Sequence, residues 1–326
     1  MKALVSGATG FIGSRLCKEL IQEGYAVRAL VLPGEDVDYI SDNALEIVFG
    51  DLLNPASIAG VSDGIDLVFH LAGRVTDWGS KDDFYAPILE GTRNLLNECN
   101  ALASRFVYVS SIAACGLGEH LKGRKEDEIG RKSGVPYNDA KLDAEKLVWA
   151  YHGMGKTDCT VVRPANVIGP GSVWVKDIIE RYQSTGVCVI DHGRHSASLV
   201  YVDNLVHGII LAATMDIARG KTYHFRDDWI VTWDEYLTDL GAIIGKKPLF
   251  SMPFALTWHL GYMLELVLTP LGIRPPITRL LAGVTGRNND VDTTRARQEL
   301  TWSTKVSYDE AMGEIRRWIL DNINAT

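Results

Sequence analysis

The 326-residue sequence predicts an α/β fold in which a doubly wound parallel sheet is joined to a smaller C-terminal domain. The first observation is that short, nearly continuous apolar segments alternate with helical patterns, which is typical of a parallel sheet covered on both faces. The second is a glycine-rich turn between the first strand and the first helix. The alternation loosens after residue 171, so we predict one domain over 1–170, with a strand returning to it near 198–225, and a second over 171–326.

The individual elements follow from the spacing of apolar residues. Leu16, Leu20 and Ile21 recur at helical spacing after the glycine-rich turn, and Gly24 suits the C-terminal cap of that helix. The predicted strands of the first domain span 2–7, 25–32, 46–52, 65–73 and 105–111, with a sixth starting at 159. Its predicted helices span 11–24 and 82–103, with a third starting near 136. The later elements are a strand over 198–205, a helix ending at 214, a strand over 222–227, a helix over 232–245, an apolar stretch over 252–272 and a helix near 307–323.

Composition and charge narrow the functional class. Hydrophobic residues make up 46% of the chain and charged residues 23%, which is ordinary for a globular protein. The net charge of −8 argues against general nucleic-acid binding, because phosphate contacts need an excess of lysine and arginine. The five cysteines are scattered without zinc-ligand spacing, so we expect reduced thiols, no metal site and a cytoplasmic protein. We expect no signal peptide, and no uninterrupted apolar run reaches about 20 residues.

The segment SGATGFIGSRL, residues 6–16, is the first candidate binding motif. Gly7 permits a tight turn, Gly10 lets the backbone approach a pyrophosphate, and Gly13 lets the next helix pack closely on the sheet. The helix N-terminus then offers free N–H groups and a partial positive charge to phosphates. A preceding strand and a following helix are the context that a dinucleotide-binding site requires. The alternative is a glycine-rich turn that binds no ligand.

Tyr137 and Lys141 are the second candidate. They lie four residues apart in VPYNDAKLDAEKLV, residues 135–148, so they share one face if this segment is helical. The segment follows the predicted strand that ends at Ser111, and the carboxyl ends of such strands are where open α/β sheets bind ligands. The alternative is a pair on the helix surface that contributes a few tenths of a kcal/mol.

Several short motifs occur in the order that a known family shows. They are GATGFIG in the glycine turn, GDL at 50–52, HLAG at 70–73, VYVSS at 107–111, PYNDAK around the tyrosine and RPANVIGPG at 163–171. On these motifs the sequence resembles the extended branch of the short-chain dehydrogenase/reductase superfamily, the NAD-dependent epimerase/dehydratase type, which has a Rossmann sheet. The chain departs from that branch at Gly73, Ile88 and Ala140, where alanine, asparagine and serine are usual.

The resemblance implies an enzyme with a Ser–Tyr–Lys catalytic set. Tyr137 would exchange a proton with the substrate, and Lys141 would lower the pKa of the tyrosine and bind the nicotinamide ribose. Ser111 would bind the substrate oxygen, with the neighbouring Ser110 as the second choice. The same resemblance implies a homodimer formed through the helices near 82–103 and 136–152. The residues that it implies for cofactor binding are Gly7, Thr9, Gly10, Phe11, Ile12, Gly13, Asp51, Leu52, Leu71, Ala72, Gly73, Tyr137, Lys141, Pro164, Asn166 and Val167.

The end of the second strand favours NAD over NADP. A carboxylate about 20 residues past the glycines binds the ribose hydroxyl of NAD, whereas an arginine accepts the 2′-phosphate of NADP. NADP-preferring relatives often have arginine where this chain has Leu32, and Glu35 and Asp36 lie close by. We therefore predict NAD as the cofactor. Arg28, earlier in the strand, keeps NADP as an alternative.

Three segments favour a hydrophobic substrate. Residues 70–80, 192–213 and 274–302 resemble 3β-hydroxysteroid dehydrogenase-like enzymes, which interconvert hydrophobic alcohols and ketones. This interpretation implies a sterol-like or 3-oxo acyl substrate. The apolar stretch 252–272 then covers the substrate, contacts a membrane surface with Trp258 and Tyr262 as anchors, or is ordinary core. The predicted substrate contacts are Arg74, Trp78, Ser110 and Trp174.

Two other functions remain open at this point. One is a nucleotide-sugar epimerase or dehydratase that uses bound NAD, because Asn166 is typical of those enzymes. The diphosphate of such a substrate needs compensating charge, for which Arg181, Arg194 and Arg219 are available. The other is a catalytically silent protein that senses the cofactor.

Overall fold

Short strands with buried apolar side chains build the framework of the molecule. The computed structural model describes residues 1–40, 45–99 and 105–323. The strands of this described part are β1 Lys2–Ser6, β2 Ala26–Val31, β3 Leu45–Phe49, β4 Leu67–His70, β5 Arg105–Val109, β6 Leu121–Arg124, β7 Asp158–Pro164, β8 Asn166–Ile168, β9 Val189–Ile190, β10 Leu199–Tyr201, β11 Thr222–Phe225, β12 Ser251–Met252 and β13 Asn289–Val291.

The central sheet has seven strands in the order β11-β7-β5-β4-β1-β2-β3. Every neighbouring pair is parallel. The chain runs from β1 outward to β3 and then crosses to β4 on the other side of β1, so the strand order reverses there. Ligands bind outside the carboxyl ends of strands at such a reversal.

Helices cover both faces of the sheet. They are α1 Phe11–Gln22, α2 Lys81–Tyr85, α3 Gly91–Glu98, α4 Pro136–Gly153, α5 Val173–Ser184, α6 Val202–Thr214, α7 Trp233–Ile243, α8 Phe254–Leu268, α9 Arg279–Thr285, α10 Thr294–Leu300 and α11 Tyr308–Ile323. Successive residues of β1 point to opposite faces, so Val5 joins the apolar layer of α1 and α6 while Leu4 joins that of α3 and α4. The predicted doubly wound sheet is confirmed.

Two predicted elements differ in detail. The helix expected over 82–103 is α2, a π-helical turn over Ala86–Glu90 and then α3, and the rest of that prediction lies outside the described residues. The strand expected over 198–205 is only three residues long and pairs with β8 instead of the central sheet. β7 ends at Pro164 and β8 begins at Asn166, so a single residue separates the two strands. The strand that returns to the central sheet is β11.

The apolar stretch 252–272 is mainly α8, and most of this helix is not core. Its buried residues are Phe254, Thr257 and Gly261, while large apolar side chains on its other face are exposed. The interpretation as an ordinary buried helix is therefore wrong. No helix in the described part of the chain is long and apolar enough to span a membrane.

Candidate active site

A cavity of about 1280 Å³ lies along the carboxyl ends of β1, β4, β5 and β7 and continues between the C-terminal helices. Ser111, Tyr137 and Lys141 line this cavity. Every residue predicted to bind the cofactor lines it as well, from Gly7 to Val167. The fold therefore collects at one place the motifs that are widely separated along the chain.

The glycine turn forms a cradle that side chains would fill. Gly7 has φ of +71°, in the left-handed region that favours glycine, and a Cβ there would lie 2.8 Å from the Ala72 nitrogen. A Cβ at Gly13 would overlap the Gly7 carbonyl oxygen. Gly10 is the N-cap residue of α1, and no side chain caps that helix. The first N–H groups of α1 are thus available to an anion in the cradle.

The predicted catalytic side chains come from two elements that meet at the cavity wall. Tyr137 lies in the first turn of α4, directly after Pro136, and Lys141 follows one turn later. Ser111 leaves the end of β5 and caps a short 3₁₀ turn, where its hydroxyl accepts a hydrogen bond from the Ala113 N–H at 3.1 Å. A hydrogen bond from Ser111 is among the causes that set the pKa of Tyr137. Both side chains line the cavity.

The electrostatics of this set differ in one respect from our prediction. Burial raises the pKa of Tyr137, and the hydrogen bond from Ser111 only partly offsets this effect. Burial also lowers the pKa of Lys141 to about 8. The Lys141 ammonium donates to the carbonyl oxygen of Val109 at 2.9 Å. The net direction of the tyrosine pKa shift is thus opposite to the expected one, because desolvation of the phenolate dominates.

Comparison with known proteins agrees with this geometry. The sequence profile of the NAD-dependent epimerase/dehydratase family matches residues 3–224. The chain belongs to this family. It is 26% identical to the 2-alkyl-3-oxoalkanoate reductase of Shewanella oneidensis, over 96% of this chain and 85% of that protein. It is also 26% identical to the sterol-4-alpha-carboxylate 3-dehydrogenase, decarboxylating, of Mus musculus, over 95% of this chain and 89% of that protein.

Solved structures share the fold. The UDP-glucuronic acid 4-epimerase from Bacillus cereus, in complex with UDP-glucuronic acid and NAD, superimposes with a TM-score of 0.78. The alignment covers 99% of this chain and 100% of that chain at 20% sequence identity. The family is NAD-dependent and the two named relatives are a reductase and a dehydrogenase, so this chain is an NAD-dependent enzyme of the extended short-chain type. A catalytically silent cofactor sensor does not agree with that membership.

The cavity fits the cofactor of this NAD-dependent family. The glycine cradle and the uncapped α1 suit the pyrophosphate, as described above. Glu35 lines the cavity and accepts a hydrogen bond from the Thr9 hydroxyl at 2.5 Å, which holds a carboxylate where a 2′-phosphate would be repelled. Arg28, the candidate NADP ligand, instead pairs with Glu46 at 3.0 Å. NAD is the cofactor that these residues hold.

Two of the departures from the family pattern compensate one another. A Cβ at Gly73 would lie 3.3 Å from Cγ1 of Ile88 and 4.0 Å from Nζ of Lys141. The larger side chain at 88 thus occupies space that the glycine at 73 leaves free.

The predicted substrate contacts fall into two groups. Arg74 and Trp174 line the cavity, whereas Trp78 is not among the described residues that line it. Ser110 reaches the cavity wall, but it is buried and its hydroxyl donates to Glu145 at 2.5 Å. Ser110 is therefore already satisfied within the protein, and Ser111 is the serine available to a substrate.

Several lining residues were not identified from the sequence. Leu117, Trp233 and Leu237 contribute apolar surface, and Asp177 and Arg274 lie on the polar side of the same space. They come from three different parts of the second half of the chain and from the segment after β5. No local pattern marks them, since only the packing of these segments around the cavity brings them together.

Proposed function

We propose that the enzyme interconverts a secondary alcohol and a ketone on a hydrophobic substrate, either sterol-like or a 3-oxo acyl compound. The observation that carries this proposal is the apolar wall that the later part of the chain adds to the cofactor cavity. A wall of this kind holds a hydrocarbon skeleton by removing its surface from water. The side chains that form it include Leu117, Trp174, Val189, Trp233, Leu237 and Val284.

The catalytic roles follow from the placement of three side chains. Ser111 hydrogen-bonds the substrate oxygen, and Tyr137 gives a proton to that oxygen or takes one from it. Lys141 holds the nicotinamide ribose and supplies positive charge near the tyrosine. NAD, when bound, accepts or supplies the hydride at the adjacent carbon.

The raised pKa of Tyr137 favours reduction at neutral pH. Because burial keeps the phenol protonated, it is ready to donate a proton to a ketone. The reverse reaction needs the phenolate, so oxidation of an alcohol should accelerate as the pH rises. The two directions should therefore show opposite dependence on pH.

The direct test follows nicotinamide absorbance with hydrophobic ketones and NADH, or alcohols and NAD. Tyr137→Phe removes the proton donor and should lower kcat by about a hundredfold to ten-thousandfold. NADH binding, measured by fluorescence, should remain. Tyr151→Phe is a matched control on the same helix, because Tyr151 bonds Asn97 outside the cavity. Near-normal turnover in Tyr137→Phe would contradict the assignment.

The names of two relatives sharpen the substrate class. A 2-alkyl-3-oxoalkanoate and a sterol-4-alpha-carboxylate both carry a carboxylate one carbon away from the position that those enzymes reduce or oxidise. We propose the same type of compound for this chain, a hydrophobic 3-oxo or 3-hydroxy acid. The apolar wall accommodates its hydrocarbon part.

A nucleotide-sugar epimerase or dehydratase is the second candidate, supported by the fold shared with epimerases and by Asn166 in the cavity wall. The charge distribution in the cavity favours an epimerase or dehydratase less than it favours the oxidoreductase proposed above. Of the arginines first considered for the diphosphate, Arg194 and Arg219 are not among the described residues that line the cavity. Arg181 lines it but already donates to the Pro276 carbonyl oxygen at 2.9 Å. An epimerase regenerates its cofactor in each cycle, so net consumption of NADH distinguishes the two reactions.

The exposed apolar face of α8 supports a proposal about location. Leu256, Met263, Leu266 and Val267 are each more than half exposed. The following segment reaches the cavity, which Pro276 lines. We propose that this face contacts a membrane surface from which an apolar substrate enters, in a cytoplasmic protein. Sedimentation with phospholipid vesicles tests this, and a Leu266→Asp variant that still sediments equally would contradict it.

The homodimer through α3 and α4 remains a prediction from the family resemblance. Analytical ultracentrifugation of the purified chain gives the oligomeric state directly. A monomer over the whole accessible concentration range would be the opposing result.

A further inference from the structure

Three arginines line the cavity within the described part of the chain, and two of them are neutralised by acidic residues. Arg274 contacts Asp77 at 2.9 Å and Asp177 at 2.5 Å. Arg181 lies 3.7 Å from the Asp77 carboxylate. These charges balance one another, so neither arginine presents a free cation to a ligand.

Arg74 is different. Its Nε is buried without a hydrogen-bond partner, and in the part of the chain that the structure describes no carboxylate forms an ion pair with it. Arg74 contributes to lowering the pKa of Asp83, but the Asp83 carboxylate already accepts a hydrogen bond from the Ser80 N–H at 2.8 Å as part of a helix cap. A partly buried guanidinium without an ion-pair partner is costly, because the group gives up water contacts that an aromatic ring replaces only in part.

Arg74 lies close to the predicted catalytic residues Tyr137 and Lys141. Arg74 directly follows Gly73 in the segment after β4. A Cβ at Gly73 would lie 4.0 Å from Nζ of Lys141. The guanidinium carbon lies 5.7 Å from the centre of the Phe84 ring, which in turn lies 6.1 Å from the centre of the Tyr137 ring. Arg74 and Tyr137 are thus both neighbours of the Phe84 ring, and both line the same cavity.

We infer that Arg74 binds a carboxylate of the substrate, close to the carbon that is oxidised or reduced. A guanidinium presents two parallel N–H groups that match the two oxygens of a carboxylate. Binding this anion would give Arg74 the partner that the protein itself does not provide. The inference rests on the proposed function, since it assigns one residue to the acid group of a hydrophobic 3-oxo or 3-hydroxy acid.

The test compares a 2-alkyl-3-hydroxyalkanoate with its methyl ester, which keeps the reacting alcohol and the alkyl chains but has no charge. The wild-type enzyme should prefer the acid. Arg74→Leu should raise KM for the acid by about tenfold to a hundredfold and leave KM for the ester nearly unchanged. Arg74→Lys, which keeps the charge but loses the paired N–H groups, should be intermediate. Arg194→Leu is the matched control, because this exposed arginine is not among the described residues that line the cavity, and it should leave KM for the acid and the ester unchanged.

Each other outcome overturns a defined part of the argument. Equal KM changes for acid and ester in folded Arg74→Leu would show that the residue does not bind the carboxylate. Weaker NADH binding by Arg74→Leu without substrate, measured by fluorescence, would assign the arginine to the cofactor instead. If the wild type uses the ester as well as the acid, the inference fails while the proposed function stands. If the wild type oxidises neither and reduces neither corresponding ketone, the proposed function itself fails.

Discussion

Replacing Gly13 with alanine should weaken both the fold and the cofactor site. The new Cβ would overlap the Gly7 carbonyl oxygen and lie 2.9 Å from the Gly7 carbonyl carbon and 3.0 Å from the Ala8 Cα. All three atoms belong to the backbone of the turn between β1 and α1, so no side-chain rotation relieves the contact. Either α1 moves away from the sheet or the turn deforms. Overpacking of this kind costs about 1–3 kcal/mol.

The opposing effect of the substitution is smaller. Gly13 lies in the first turn of α1 without a positive φ, so alanine is compatible with the backbone there. Alanine is favoured over glycine in a helix by up to about 1 kcal/mol. Gly313 in α11 provides the matched control, because a Cβ there meets no atom within 4 Å. Gly313→Ala should stabilise the protein by about 0.5–1 kcal/mol.

Urea unfolding and NADH fluorescence titration measure the two consequences of Gly13→Ala. We expect a lower urea midpoint than that of the wild type and weaker NADH binding, because the free N–H groups of α1 move with the helix. Gly313→Ala should raise the midpoint and leave NADH binding unchanged. The reasoning is refuted if Gly13→Ala unfolds at the wild-type urea concentration and binds NADH with wild-type affinity.

Three further predictions follow from single contacts. Glu35→Gln removes a charge that repels a 2′-phosphate and should improve NADPH binding relative to NADH by severalfold to about tenfold; an unchanged ratio in fluorescence titrations would contradict this. Ser110→Ala should cost about 1–3 kcal/mol of stability while kcat persists, whereas Ser111→Ala should lower kcat; equal kcat values for the two variants would contradict our choice of serine. Burial lowers the pKa values of His70 and His224 to about 3. Between about pH 3 and 6.5 the unfolded state therefore binds more protons than the folded state, so the free energy of unfolding falls as the pH drops through this window. Each histidine should cost about 2 kcal/mol at pH 5 relative to pH 7, and His224→Gln should lose less stability than the wild type in urea titrations at the two pH values.

The parts of the fold that sequence predicted well are those that local periodicity specifies. Apolar runs bounded by turns located the strands of the central sheet, and the glycine spacing located the cradle at α1. The pairing of β10 with β8 was missed because a three-residue strand carries almost no periodic signal. Its partner β8 begins at Asn166, a single residue after β7 ends at Pro164.

The choice between Ser110 and Ser111 shows the same limit at the site. Neighbouring residues on a strand point in opposite directions, so one serine faces Glu145 and the other faces the cavity. The sequence presents both at the end of the same strand. Ser111 was preferred from the family motif, and the buried partner of Ser110 supplies the physical reason.

The sequence by itself determined the doubly wound sheet, the family, the cofactor cradle and the Tyr137–Lys141 spacing, because each depends on residues that are neighbours along the chain. Only the tertiary structure decided which arginine lacks a partner. Arg181 and Arg274 meet the acidic residues of distant segments, while Arg74 lies against Phe84. The balance of charge in a cavity depends on side chains that approach one another in space, and that balance is the basis on which we propose a carboxylate substrate.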